Sequence, residues 1–172
     1  MPWFGNQDHS SASYQGLCDW IEGAAFTFTD TGSYPVSMSA YLKTFPGLSR
    51  KCKLAIYRLS DLALLAVTEE KALSGSMDWQ WVTFNIVGSP PLLVPGTDYI
   101  LTAWAERSIG DNDFAVSIGV KDQVGELDHE QNIVYTGTFP DPYVDVPQLY
   151  DEILAIYCTH AAPGAYLFFR KS

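Results

Sequence analysis

Polar and apolar residues alternate with a period of two along most of this chain. Between residues 21 and 29, Ala24, Phe26 and Phe28 share one parity, while Ala25, Thr27 and Thr29 take the other. Between 36 and 42, Val36, Met38, Ala40 and Leu42 oppose Ser37, Ser39 and Tyr41. Alternation of this kind predicts half-buried β-strands, because successive strand side chains point to opposite sides of the sheet. The run 52–59 repeats it, with Leu54 and Ile56 against Ala55 and Tyr57. In 79–87, Val82, Phe84 and Ile86 form one face, and Trp79, Trp81, Thr83 and Asn85 the other. Runs 99–105, 114–120 and 153–159 complete the set; in the second, Phe114, Val116, Ile118 and Val120 share a side.

The run 62–68 is apolar on both parities and predicts a central strand. A helix competes only here, since residues 61–73 contain good helix formers. The hairpin-like break at Ser60-Asp61 favours the strand. Asp30-Thr31-Gly32, Phe45-Pro46-Gly47 and Pro95-Gly96 supply turns. Eight or more short strands separated by turns predict an all-β fold, an antiparallel β-sandwich of jelly-roll type. The expected organisation is a polar N-terminal arm over 1–16, a sandwich domain over 17–160 and an apolar tail over 161–172. Within the sandwich, 121–132 reads as an acidic loop and 138–151 as an irregular crossing.

Composition narrows the function. At 172 residues and 47% hydrophobic, one domain can build its core without disulfides or metals. Aromatic content of 14% suits pleated surfaces. Cys18, Cys52 and Cys158 form no CxxC pair; they read as buried small hydrophobes, with a Cys52–Cys158 bridge as the alternative. The net charge of −10 and the absence of a basic stripe argue against nucleic acid. Anionic membranes and anionic polysaccharides are disfavoured on charge, whereas neutral sugars are not. No run approaches the ~20 apolar residues needed to cross a bilayer. The N-terminus lacks the basic start and apolar run of a signal peptide.

The order of pieces in the middle of the chain carries a resemblance. Val36-Ser37-Met38-Ser39-Ala40-Tyr41-Leu42 leads to Lys53-Leu54-Ala55-Ile56-Tyr57-Arg58, then Trp81-Val82-Thr83-Phe84-Asn85, then Pro95-Gly96-Thr97-Asp98-Tyr99-Ile100-Leu101. Ala155-Ile156-Tyr157-Cys158-Thr159 closes the series. The chain resembles the β-sandwich accessory modules of secreted glycoside hydrolases and of microbial or viral surface proteins. The resemblance covers about two-thirds of the chain and rests on turns and core strands. It implies a jelly roll with a binding or assembly role, outside the cell or on a cell or virion surface, and carries over no catalytic residue.

Trp79 and Trp81 are the leading candidates for a binding site. On one strand face they would stand roughly 7 Å apart, a spacing on which sugar rings stack, with Asp78, Gln80, Thr83 and Asn85 as polar partners. The alternative is that they pack beneath a loop, since large aromatics are mostly buried. Trp20 is a further candidate, whereas Trp104 shares its face with Ile100 and Thr102 and reads as core. Asp111, Asn112 and Asp113 form one oxygen-rich turn, and Glu126, Asp128 and Glu130 another. Either reads as a solvated turn or as a weak structural-calcium site, with Asp111 and Asp113 as ligands. No other cofactor is expected. His9, His129 and His160 form no HExxH motif, and no G-x-S-x-G occurs. The chain therefore reads as a non-catalytic module for polysaccharide or oligosaccharide. The alternative is a structural or assembly domain joined to a fusion partner or to itself through Tyr166–Phe169. An acidic hydrolase would require a cleft holding two carboxylates.

Overall fold

A computed structural model describes residues 1–9, 13–47, 49–108, 110, 112–125, 127–149 and 151–165. Among the described residues the chain forms β1 (Trp3–Gly5), β2 (Tyr14–Gly16), β3 (Trp20–Phe28), β4 (Tyr34–Thr44) and β5 (Arg50–Arg58). There follow β6 (Leu64–Thr68), β7 (Lys71–Leu73), β8 (Gln80–Val87), β9 (Thr97–Ala105) and β10 (Val116–Asp122). The last are β11 (Leu127–Asn132), β12 (Val146–Leu149), β13 (Glu152–Leu154) and β14 (Ile156–Ala161). The ladders between them are antiparallel, as the sandwich reading requires.

One layer runs β1-β14-β4-β8, and β10 pairs with the far end of β4 and with β2 and β13. The other runs β6-β5-β9-β3-β11-β12, with β7 beside β5. A short ladder, Val67↔Val87 and Thr68↔Ile86, joins the layers along one side. The core lies between them. Met38, Ala40 and Leu42 of β4, Phe84 of β8 and Ile156 of β14 meet Leu54, Ile56, Leu101 and Phe28 of the opposite layer. Met38, Ala40, Leu42 and Phe84 are on the inward faces read from the sequence, whereas on β9 the inward side is that of Leu101, not that of Ile100 and Trp104. Each large aliphatic or aromatic side chain buried there contributes about 1.5–3 kcal/mol.

A second cluster covers the outer side of the six-stranded layer. Phe139 and Tyr143 lie over Ile21, Ala55, Tyr57, Ile100 and Trp104. The stretch is tied down by hydrogen bonds. Trp104 Nε1 donates to Ile133 O (3.1 Å), the Tyr57 hydroxyl to Pro140 O (2.8 Å) and Lys53 Nζ to Gly137 O (2.7 Å). Trp104 is thus core, as its strand face suggested.

Several local expectations change. Residues 127–132 form a strand, not a loop: β11 pairs with β3 on one side and β12 on the other, and this pairing overrides the weak strand propensity of a polar stretch. Phe114 is 44% exposed in a turn of 3-10 helix, Asp113–Ala115, because Asn112 Oδ1 accepts from its backbone N–H (3.1 Å); the strand begins only at Val116. The run 153–159 is two strands that bend at Ala155. Within 1–16, Phe4 is buried and β1 and β2 join the sheet. Cys18, Cys52 and Cys158 are buried and none is in a disulfide, so no Cys52–Cys158 bridge forms. Residues 166–172, including Tyr166–Phe169 of the apolar tail, lie outside the described residues.

Candidate functional site

The outward parity of the four-stranded layer gathers a ribbon of aromatic rings. Register places Tyr41 opposite Trp81 on β4 and β8, and Trp79 immediately precedes β8. Tyr41 lies 5.4 Å from each tryptophan, nearly parallel to Trp79 (12°) and tilted 50° to Trp81. Tyr157 of β14 extends the ribbon, 5.1 Å from Trp81, and Trp3 of β1 lies 6.0 Å beyond. At the other end Tyr14 sits 5.9 Å from Trp79 and 5.7 Å from Phe114. Centroid spacings of this size are those of favourable edge and offset contacts. Trp3, Tyr14 and Phe114 are 45%, 40% and 44% exposed, and Trp79, Trp81, Tyr41 and Tyr157 are half-buried. Exposed aromatics at both ends make the ribbon reachable from solvent.

Gly119 of β10 gives the ribbon its floor. A Cβ there would stand 2.9 Å from Tyr41 Cδ1 and 3.7 Å from Trp79 Cζ3. Any larger residue would push the Tyr41 ring out of its plane. His9 stacks on Tyr41 from the N-terminal stretch, with centroids 3.8 Å apart and planes at 11°.

Hydroxyls flank the rings on the same face. Ser39 and Thr83 share a hydrogen bond of 2.8 Å, and Ser37 and Thr159 one of 2.6 Å. Asn85 shares this face; its backbone and side-chain N–H groups both donate to Glu69 Oε1 (3.0 Å). Asp78 lies 3.8 Å from Lys43 Nζ, which itself stands 5.9 Å from the Trp79 ring. Gln80 is exposed but pairs with inward-facing Leu42, so its parity is opposite to that of Trp81. Thus Trp79, Trp81, Asp78 and Asn85 share one side, and Gln80 does not.

Trp20 belongs elsewhere. It lines a cleft of about 200 Å³ at the side of the sandwich, with Glu22, Glu130, Gln15 and Phe114. Glu22 on β3 stands directly opposite Glu130 on β11, and Asp128 follows two residues away on the same strand face. Like charges opposed across a ladder repel. Glu22 and Asp128 are 4% and 2% exposed, and Glu22 Oε2 and both Asp128 oxygens lack a hydrogen-bond partner. Burial first, then Asp128 and Glu130, pushes the Glu22 carboxyl well above the usual range. Asp128 rises for the same first reason, then through Glu130 and Glu152; the His129 amide, outside bonding geometry, offsets only part. Burial also raises Glu130.

Asp113 lines this cleft and pairs with Arg107 (2.9 Å), whereas Asp111 and Glu126 lie outside the described residues. Among the described residues, no three His, Cys, Asp or Glu side chains are grouped to hold a metal ion.

Sequence reasoning missed Glu22. Its signal was present: Glu22 shares the parity of Ala24, Phe26 and Phe28, so the strand that buries those residues buries a carboxyl with them. Tyr41 read as outward-facing, but its place between two tryptophans follows only from the β4–β8 register.

The chain matches no protein-family model and no curated protein.

Proposed function

We propose that this protein is a non-catalytic carbohydrate-binding module whose site is the aromatic ribbon on the outer face of the four-stranded layer. The observation that carries this reading is the unbroken series Trp3, Tyr157, Trp81, Tyr41, Trp79 and Tyr14, with adjacent centroids 5.1–6.0 Å apart. The half-buried rings offer apolar surface to the C–H faces of sugars, and the Thr83 and Thr159 hydroxyls, which are not buried, lie beside them to exchange hydrogen bonds with sugar hydroxyls. The length of the series favours a polysaccharide or oligosaccharide over a single sugar. The net charge of −10 favours a neutral one. Such a module would work outside the cell or on a cell or virion surface, joined to or alongside another domain.

Affinity electrophoresis through gels containing neutral polysaccharides, together with a glycan array, tests the proposal. The expected result is retardation by at least one glycan, weakened about ten-fold or more by Trp79→Ala or Trp81→Ala and abolished by the pair. Binding that survives the double substitution rules out this face, and no binding to any glycan rules out the class.

A second reading, a structural or assembly domain, is favoured by a different observation. Val124, Val134, Val144 and Val146 are 90%, 69%, 61% and 47% exposed, and Val146 lies on β12, which ends its layer. An apolar terminal strand is a surface for self-association. Light scattering that shows a monomer at every concentration would remove this reading.

A further inference from the structure

The cleft between β3, β11 and the start of β10 has a chemistry that the aromatic ribbon does not use. Its wall holds the Glu22 carboxyl, whose Oε2 has no hydrogen-bond partner, and Asp128 shares the strand face of Glu130 two residues away. Glu22 and Asp128 are almost fully buried, and three of their four oxygens lack a partner. Glu130 faces Glu22 across the ladder. The charged and titratable groups around them are mostly acidic. Asp113 is occupied by Arg107, Glu152 Oε2 accepts from Gln15 Nε2 (3.0 Å), and Asp145 is held by His129 (2.8 Å). The Tyr143 hydroxyl, near Glu22 and Asp128, donates to His129 O (2.8 Å). A buried polar group without a partner costs about 1–3 kcal/mol, and more when it is charged. The cleft wall adds two aromatic rings, Trp20 and Phe114.

We propose that this cleft binds an organic cation, an ammonium or guanidinium group, with Glu22 and Glu130 as its anionic partners and Trp20 and Phe114 as its aromatic walls. The chemistry is selective in three respects. A cation removes the repulsion between Glu22 and Glu130, which a neutral sugar would leave in place. Its N–H groups supply the donor that Glu22 Oε2 lacks. Aromatic walls attract a weakly hydrated organic cation, whereas among the described residues no three acidic side chains are grouped as a metal site. Burial raises both the Glu22 and Glu130 carboxyls, so a cation that pairs with their ionised forms displaces any protons they hold.

Three probes distinguish the sources of such a group: spermidine for a free polyamine, L-arginine for a guanidinium side chain and a glucosamine oligosaccharide for an amino sugar. Calorimetry at pH 6 and pH 8, in buffers of different ionisation enthalpy, reads both affinity and proton release. The expected result is that at least one probe binds with one-to-one stoichiometry and releases protons, tightening by up to about ten-fold per pH unit for each proton released. Glu22→Gln weakens it at least about ten-fold. Glu130→Gln, at a less buried position, gives a second reading independent of any folding defect at Glu22. Spermidine and L-arginine carry no sugar ring, so their binding separates this site from the ribbon. The proposal is overturned if none of the probes binds at millimolar concentration at pH 8, if calcium chloride alone binds, or if binding survives both glutamine substitutions.

Discussion

The two outer faces of the sandwich carry similar side chains and treat them in opposite ways. On the six-stranded layer, Trp104 and Tyr57 are buried under Phe139 and Tyr143, and their polar atoms donate to carbonyls of the covering stretch. On the four-stranded layer, Trp79, Trp81 and Tyr41 stay half-buried, and the N-terminal stretch reaches them at His9. The chain can therefore cover an aromatic face, and it does so where residues 133–145 are available. Partly exposed aromatics on the other face forgo part of the burial gain, about 25 cal/mol per Å² of apolar surface.

Substitutions can break this comparison. Trp104→Ala should lose about 3–5 kcal/mol, because it empties a fully buried site and strands the Ile133 carbonyl. Trp81→Ala should lose less than about 2 kcal/mol, since its ring already meets solvent. Urea unfolding of both variants measures the difference. Equal losses would mean that the ribbon is a second core and not a surface.

The cleft beside β3 provides the next largest effect. Glu22 and Asp128 bind their protons more tightly folded than unfolded, because both carboxyls are raised mainly by burial. The stability they contribute is fully present below the ordinary carboxylate range and is lost as the pH rises through their raised folded values. Each proton released on unfolding or taken up on folding changes stability by at most about 1.4 kcal/mol per pH unit. Thermal unfolding without added ligand should therefore show a Tm falling from about pH 5 to about pH 9, with Asp128→Asn flattening the slope. A wild-type Tm that rises over this range would mean that the inward side of β11 is solvated. A smaller loss, about 1–3 kcal/mol, is expected from Tyr143→Phe, which leaves the His129 carbonyl without its 2.8 Å donor beneath the covering stretch. Denaturant unfolding checks it.

Much of this contrast was legible in the sequence wherever the period was clean. The alternation in 36–42 and 79–87 identified both the inward set, Met38, Leu42 and Phe84, and the outward pair, Trp79 and Trp81. It identified Trp104 as core from its neighbours on the strand. It failed at β11, where Leu127-Asp128-His129-Glu130-Gln131-Asn132 has almost no apolar residue to mark a period. That strand exists because β3 and β12 pair with it from both sides, which is tertiary information. The acidic cluster was hidden for the same reason: Glu22 and Glu130 are 108 residues apart in the chain and become neighbours only through register. The ribbon was half visible. Two tryptophans two residues apart are a local signal, but Tyr41, Tyr157 and Trp3 come from three other strands.

The smallest expected effect bears most directly on what the open face is for. His9 is exposed, yet its ring stacks flat on Tyr41 at 3.8 Å and lies 6.1 Å from Trp81. A sugar stacking on Tyr41 from that side must displace it. His9→Ala removes a surface ring held by one stacking contact, so unfolding free energy should change by no more than about 0.5–1 kcal/mol. Affinity for a retained glycan should instead rise by a few-fold, because the imidazole no longer has to leave Tyr41 before the ligand arrives. Retardation in the affinity gel for His9→Ala, read beside Tyr41→Ala, separates the possibilities. A rise in the first variant with a loss in the second marks Tyr41 as a sugar platform that His9 shields. A fall in both marks His9 as part of the platform, which would lengthen the ribbon by one ring. If neither variant changes retention while Trp81→Ala still weakens it, the ligand runs from Trp81 toward Tyr157 and Trp3, and the Tyr41–Trp79 end of the ribbon lies outside the site.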